Sequence, residues 1–149
     1  MNGASLTFSW VCRGIVILLL GMTVYSKLVG APLAVAIFTE LGVEPWGRYL
    51  VGVLEIIAIA LLIYPRTVLL GAILAILVLT GAIVSHIAVI GVSLEGIKGS
   101  LPDSSKHLAH DPRLFAFAWI ALLASLIVMT IHIGQFKELF KRKREPSSK

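Results

Sequence analysis

The sequence predicts an all-α protein: an integral membrane four-helix bundle with a short interfacial or re-entrant helix between the first and second spans. Three observations carry that expectation. The chain of 149 residues is 58% apolar and only 14% charged, against roughly 45–50% and 25% in soluble domains. It therefore lacks the polar surface that a water-soluble globule of this length needs, and its mean hydropathy of +0.95 agrees. Finally, four stretches can each cross a hydrocarbon core of ~30 Å as helices of about 20 residues. Their Leu, Ile and Ala content, without strand alternation, favours helices over barrel strands.

The spans are expected at about residues 8–27, 46–64, 67–90 and 113–133, in a single domain of residues 1–136 followed by a basic tail, 137–149. Four spans place both termini on one side. That side, with the Pro65–Arg66 turn, carries eight Lys and Arg residues against five on the other, so both termini are expected in the cytoplasm. Arg13 followed by residues 14–24 also fits the start of a cleavable secretory signal, but cleavage leaves the charge count without an explanation. Trp10 and Tyr64 fall at the expected inner interface, and Tyr25, Trp46 and Tyr49 at the outer one. Between the first two spans, residues 32–42 open with proline and end with glycine, the asymmetry of a short helix. Leu33, Val35, Ile37, Phe38 and Leu41 make this segment too apolar for a free loop. Pro65–Arg66 is a tight turn that makes the second and third spans antiparallel neighbours. Residues 91–112 form an outer loop. The run Lys141–Arg144 reads as a topological anchor or a contact to anionic lipid rather than a nucleic-acid site.

Glu55 is the most informative residue. Ten residues separate it from Pro45 and ten from Pro65, which puts it ~15 Å from either helix end. A carboxyl at mid-bilayer costs at least ~2–3 kcal/mol on insertion scales, so it is expected to face the bundle interior, paired or neutralised. Two roles are open to it: hydrogen bonds that fix helix packing, or proton chemistry. Arg48, Gly52 and Ile59 share its helix face. In the third span Ala72, Ala75, Leu79, Ala82 and His86 form a packing seam of mostly small residues. His86 lies ~30 Å from Arg66 along the helix. Its depth matches Arg48 and Lys27 rather than Glu55, so an outer polar cluster is the simpler arrangement. Arg13 is expected to snorkel to the interface or to bend toward Glu55, and Lys27 to act as an interfacial anchor opening toward that outer cluster. A proton path through Arg13, Glu55 and His86 needs water across a ~15 Å gap.

Other chemistry is weakly supported. A single cysteine, Cys12, leaves no intramolecular disulfide and no multi-thiolate metal site within this chain. His107, His110 and Asp111 lack an identified further ligand, so no metal site is expected. No phosphate-binding glycine loop or nucleophile elbow is present.

The residues do suggest a family. Ser26-Lys27-Leu28, Gly30, Pro32, Phe38 and Leu41-Gly42-Val43-Glu44-Pro45-Trp46 resemble the first half of the DoxX/DoxD-like membrane proteins. The resemblance continues through Gly52-Val53-Leu54-Glu55, Pro65, Gly71-Ala72, Gly81-Ala82-Ile83 and Ser85-His86. It implies a multi-pass four-helix protein of the bacterial inner membrane, with Lys27, Glu55 and His86 at family-pattern positions. It further implies a quinone-linked role, as an accessory subunit beside a membrane or peripheral oxidoreductase, with no cofactor built by this chain and a quinone as the group to be contacted. The alternative is a non-catalytic scaffold, or a hydrophobic small-molecule or lipid binder.

Overall fold

A computed structural model describes residues 3–85, 87 and 113–144, and all elements among them are helices. They are α1 (Gly3–Leu28), α2 (Pro32–Glu40), α3 (Trp46–Ile63), α4 (Val68–Ser85) and α5 (Arg113–Arg144). All but α2 are long and apolar enough to cross a membrane, over Ser5–Leu28, Trp46–Ile63, Val68–Ser85 and Phe115–Gly134. The chain is thus a multi-pass, four-helix membrane bundle. The helices pack in a ring, α1 against α3 and α5, and α4 against the same two. One end of the ring carries the start of α1, the α3–α4 turn and the C-terminal part of α5. It is called the termini end below, and α2 lies at the other.

Between lipid-facing helices no hydrophobic effect drives association, so close packing of small side chains must hold them. The core agrees: Cys12, Val16 and Leu20 of α1 meet Ala58 and Leu62 of α3, Val68, Ala72, Ala75 and Leu79 of α4, and Ala121, Ala124 and Val128 of α5. The seam expected in α4 is present through Ala72, Ala75 and Leu79. Beyond them it passes to Ile83 rather than Ala82. The closest backbone approach is at Gly71, where a Cβ would lie 2.7 Å from the Leu62 amide nitrogen and 2.9 Å from the Leu61 carbonyl carbon. Only glycine fits there.

Two helix ends are closed in the same way. At the end of α1 the Ala31 amide donates to the Ser26 carbonyl at 2.9 Å and the Gly30 amide to Lys27 at 3.4 Å. This is a Schellman cap whose left-handed residue, Gly30, has φ +68°. Gly42, φ +70°, closes α2 with the equivalent pair of bonds, Val43 to Phe38 and Gly42 to Thr39. Pro32 stands in the first turn of α2, where its missing N–H has no intrahelical acceptor to lose. Buried Ala34, Ala36 and Phe38 lie on this helix, which packs on α1 and α3.

Two boundaries differ from expectation. α1 starts at Gly3, and α5 runs without interruption to Arg144, into the segment expected as a separate tail. No proline or glycine follows Gly134 before Glu145, and the Lys, Arg and Glu residues there are good helix formers. Most of the third span's last residues and the whole loop 91–112, with His107, His110 and Asp111, lie outside the described residues.

Candidate functional site

The polar groups gather along the α1–α3 seam. Lys27 Nζ donates to both oxygens of Glu55, at 2.9 and 3.0 Å, and Thr23 Oγ1 lies 3.1 Å from Glu55 Oε1. Glu55 is 4% exposed. Lys27 comes from the last turn of α1, one residue before its end, and Glu55 from the middle of α3. At Gly52 the two helices lie side by side: a Cβ there would make an ordinary contact, 3.8 Å from Lys27 Cβ. The lysine stem thus starts level with Gly52 and reaches inward by about one helical turn, ~5 Å. This corrects the expectation of an interfacial Lys27. The carboxylate is too deep to reach water, so the longer and more flexible cation comes to it.

Thr23 adds a two-state element. Its hydroxyl has one hydrogen but two acceptors in reach, Glu55 Oε1 and the Leu20 carbonyl at 2.9 Å. With Glu55 ionised, the hydroxyl can donate to the carboxylate. With Glu55 protonated, the carboxyl can donate to Oγ1 while the hydroxyl turns to Leu20. Either charge state of the acid finds its hydrogen bonds without a backbone change.

Arg48 and Arg13 do something different from Lys27. Arg48, 5% exposed, donates from Nε to both Glu44 oxygens at 2.9 and 3.1 Å, from Nη1 to the Lys27 carbonyl, and stacks 4.4 Å from the Tyr49 ring centroid. Arg13, 3% exposed, donates from Nη2 to the Leu62 carbonyl and to Ile63 at 2.9 Å, and its guanidinium lies 3.9 Å from the Trp10 ring centroid. It neither snorkels away nor turns to Glu55, because the helix α3 ends beside it and leaves carbonyls that need donors. The last four carbonyls of α3 are all served: Ala60 by the Tyr64 amide, Leu61 by Thr67 Oγ1, Leu62 and Ile63 by Arg13. The arrangement is reciprocal. An arginine of α3 holds the end of α1, an arginine of α1 holds the end of α3, and each cation sits at the negative end of a helix dipole. On each helix 14 residues separate the two clamps (13 to 27, 48 to 62), ~21 Å of axis, with Glu55 midway.

Sequence reasoning missed Ser9, Thr23, Glu44 and His132. Ser9, buried one turn before Arg13, bonds His132 Nε2 of α5 at 2.9 Å. A signal was there: Ser9, Thr23 and Glu44 each stand four residues before a cation already singled out, Arg13, Lys27 and Arg48; within α1 that spacing puts each pair on one helix face, and Glu44 reaches Arg48 from the turn before α3. His86 lies outside the described residues, so its place in an outer cluster with Arg48 and Lys27 is not described. Among the described residues no group of three or more metal-ligating side chains occurs.

No curated protein and no solved structure shows significant similarity to the chain. A family model does match, over residues 11–96, and that segment includes Arg13, Thr23, Lys27, Glu44, Arg48 and Glu55. The match covers more than half of the sequence, and on that ground, with four spanning helices behind it, the chain belongs to the DoxX-like family.

Proposed function

We propose that this protein is an accessory subunit of a quinone-linked redox complex in the bacterial inner membrane, its termini in the cytoplasm, and that Glu55 exchanges protons with the quinol. The single observation that carries this reading is the Thr23–Lys27–Glu55 cluster, a buried acid whose hydrogen bonds suit both of its charge states. Quinol oxidation releases two protons and two electrons. Glu55 takes protons one at a time and passes them on, and the electrons go to the acceptor of a partner oxidoreductase. Lys27 holds the carboxyl in place and balances its charge.

The test is affinity purification of the full chain from native membranes in mild detergent, with identification of co-purifying proteins and quinone. An oxidoreductase and a quinone are expected. In that complex Glu55→Gln should lower quinol-dependent turnover by about 100-fold, the scale of a lost acid–base group, with insertion and complex stoichiometry unchanged. Full turnover in the variant removes Glu55 from the mechanism. A sample free of both quinone and oxidoreductase sinks the accessory role. The second reading, a non-catalytic scaffold or hydrophobic small-molecule or lipid binder, then takes its place. One observation favours it: Arg13 and Arg48 each bond a carbonyl at the end of the other's helix, a structural use of both cations.

A further inference from the structure

We infer that the termini end of the bundle binds a phosphate oxyanion at Arg13, supplied by the headgroup of an anionic phospholipid. Arg13 differs from the other buried cations of the seam. Lys27 has Glu55 and Arg48 has Glu44, whereas Arg13 has no carboxylate partner among the described residues. Its guanidinium also has donors to spare. Nη2 serves the two α3 carbonyls, which leaves the N–H of Nε and the two of Nη1 out of the five a guanidinium offers. Nε is buried with no acceptor. It is sealed off, so the donors open to a ligand are the two N–H of Nη1, and a cationic N–H pair without an acceptor suits a phosphate oxygen.

The surroundings select a lipid over a free ion. Arg13 lies beside the last carbonyls of α3, at the depth where that helix ends and the Tyr64-Pro65-Arg66 turn begins. Trp10, stacked on the guanidinium, is 48% exposed, and Ile63 and Tyr64 are likewise open to the outside. Aromatic side chains of this kind mark the headgroup level. Buried Ser9, on the same face of α1, and His132 of α5 continue the polar strip toward the chain end. Beyond it, α5 carries Lys137, Lys141, Arg142, Lys143 and Arg144, a basic run that concentrates anionic lipid in the same leaflet. This site is separate from the Glu55 cluster: Leu62, whose carbonyl Arg13 holds, stands seven residues from Glu55, ~10 Å along α3.

The experiment titrates the delipidated full chain in mild detergent with dioleoylphosphatidylglycerol, dioleoylphosphatidylcholine or inorganic phosphate, with bound species read by native mass spectrometry. Phosphatidylglycerol should be retained at least ~10-fold more tightly than phosphatidylcholine, the effect of one charge-assisted contact. Arg13→Gln should abolish that preference. Arg66→Gln, an exposed arginine at the same end, should leave it within about twofold. Displacement of the lipid by millimolar phosphate assigns the binding to the phosphate group alone, and its persistence assigns it to the lipid. No preference in the wild-type chain, or an equal loss in the Arg66 variant, overturns the site in favour of general surface attraction. Should Arg13→Gln not fold, Arg13→Lys decides. It keeps the charge without a second nitrogen to serve the α3 carbonyls while the first meets the lipid, and should bind at least ~3-fold more weakly, and equal retention overturns the proposal.

Discussion

Lys27→Met should destabilise the bundle by about 3–5 kcal/mol, because it leaves a buried carboxylate without its cation. Glu55→Leu should cost less, about 1–2 kcal/mol, although it breaks the same ion pair. The asymmetry comes from position. Glu55 sits in the middle of α3 with its side chain 5% exposed, whereas Lys27 is one residue from the end of α1, 12% exposed. A lysine there can swing outward to water, and a mid-helix carboxylate cannot. The double variant, with both charges gone, should recover to within about 1 kcal/mol of the wild type. Equilibrium unfolding in mixed micelles measures all four corners of this cycle. Equal costs for the two single variants, or a coupling energy below about 0.5 kcal/mol, would show that the pair does not hold α1 to α3.

Gly71→Ala is expected to cost about 3 kcal/mol, at the upper end of overpacking effects. The added methyl would press on backbone atoms of Leu61 and Leu62, which cannot rotate away as a side chain would. Moving α4 back opens the small-residue seam. Moving α3 instead shifts the Leu62 carbonyl from Arg13. The companion change Gly81→Ala, where no atom lies within 4 Å of the new methyl, should change stability by less than about 1 kcal/mol. Thermal unfolding of the two variants in the same detergent distinguishes a local clash from a general intolerance of larger residues, and similar losses at both positions would contradict the tight α3–α4 contact.

Much of the architecture was legible before any coordinates. The apolar spans, the helix after Pro32, the turn at Pro65 and the burial of Glu55 all follow from local rules: the length of a helix that crosses lipid, the fixed φ of proline, and the cost of an isolated charge. The partner of Glu55 was not legible. Counting residues from the helix ends assigns each side chain the depth of its own backbone, and on that count Lys27 and Glu55 sit on different levels. The count omits the reach of a lysine stem. Arg13 was misread for a related reason. The sequence offers it water or a carboxylate, whereas its acceptors are backbone carbonyls, which no side-chain pattern displays.

The sequence by itself determined the solvent, the number of spans and the burial of Glu55, because those depend on composition, on the period of one helix and on the cost of a charge in lipid. Which buried group meets which was decided only by the tertiary structure. A contact between α1 and α3 depends on their relative height and rotation, which the pattern along either helix alone does not specify. That is why a lysine at one helix end became the partner of an acid in the middle of another, and why each of the two arginines came to hold the end of the other's helix.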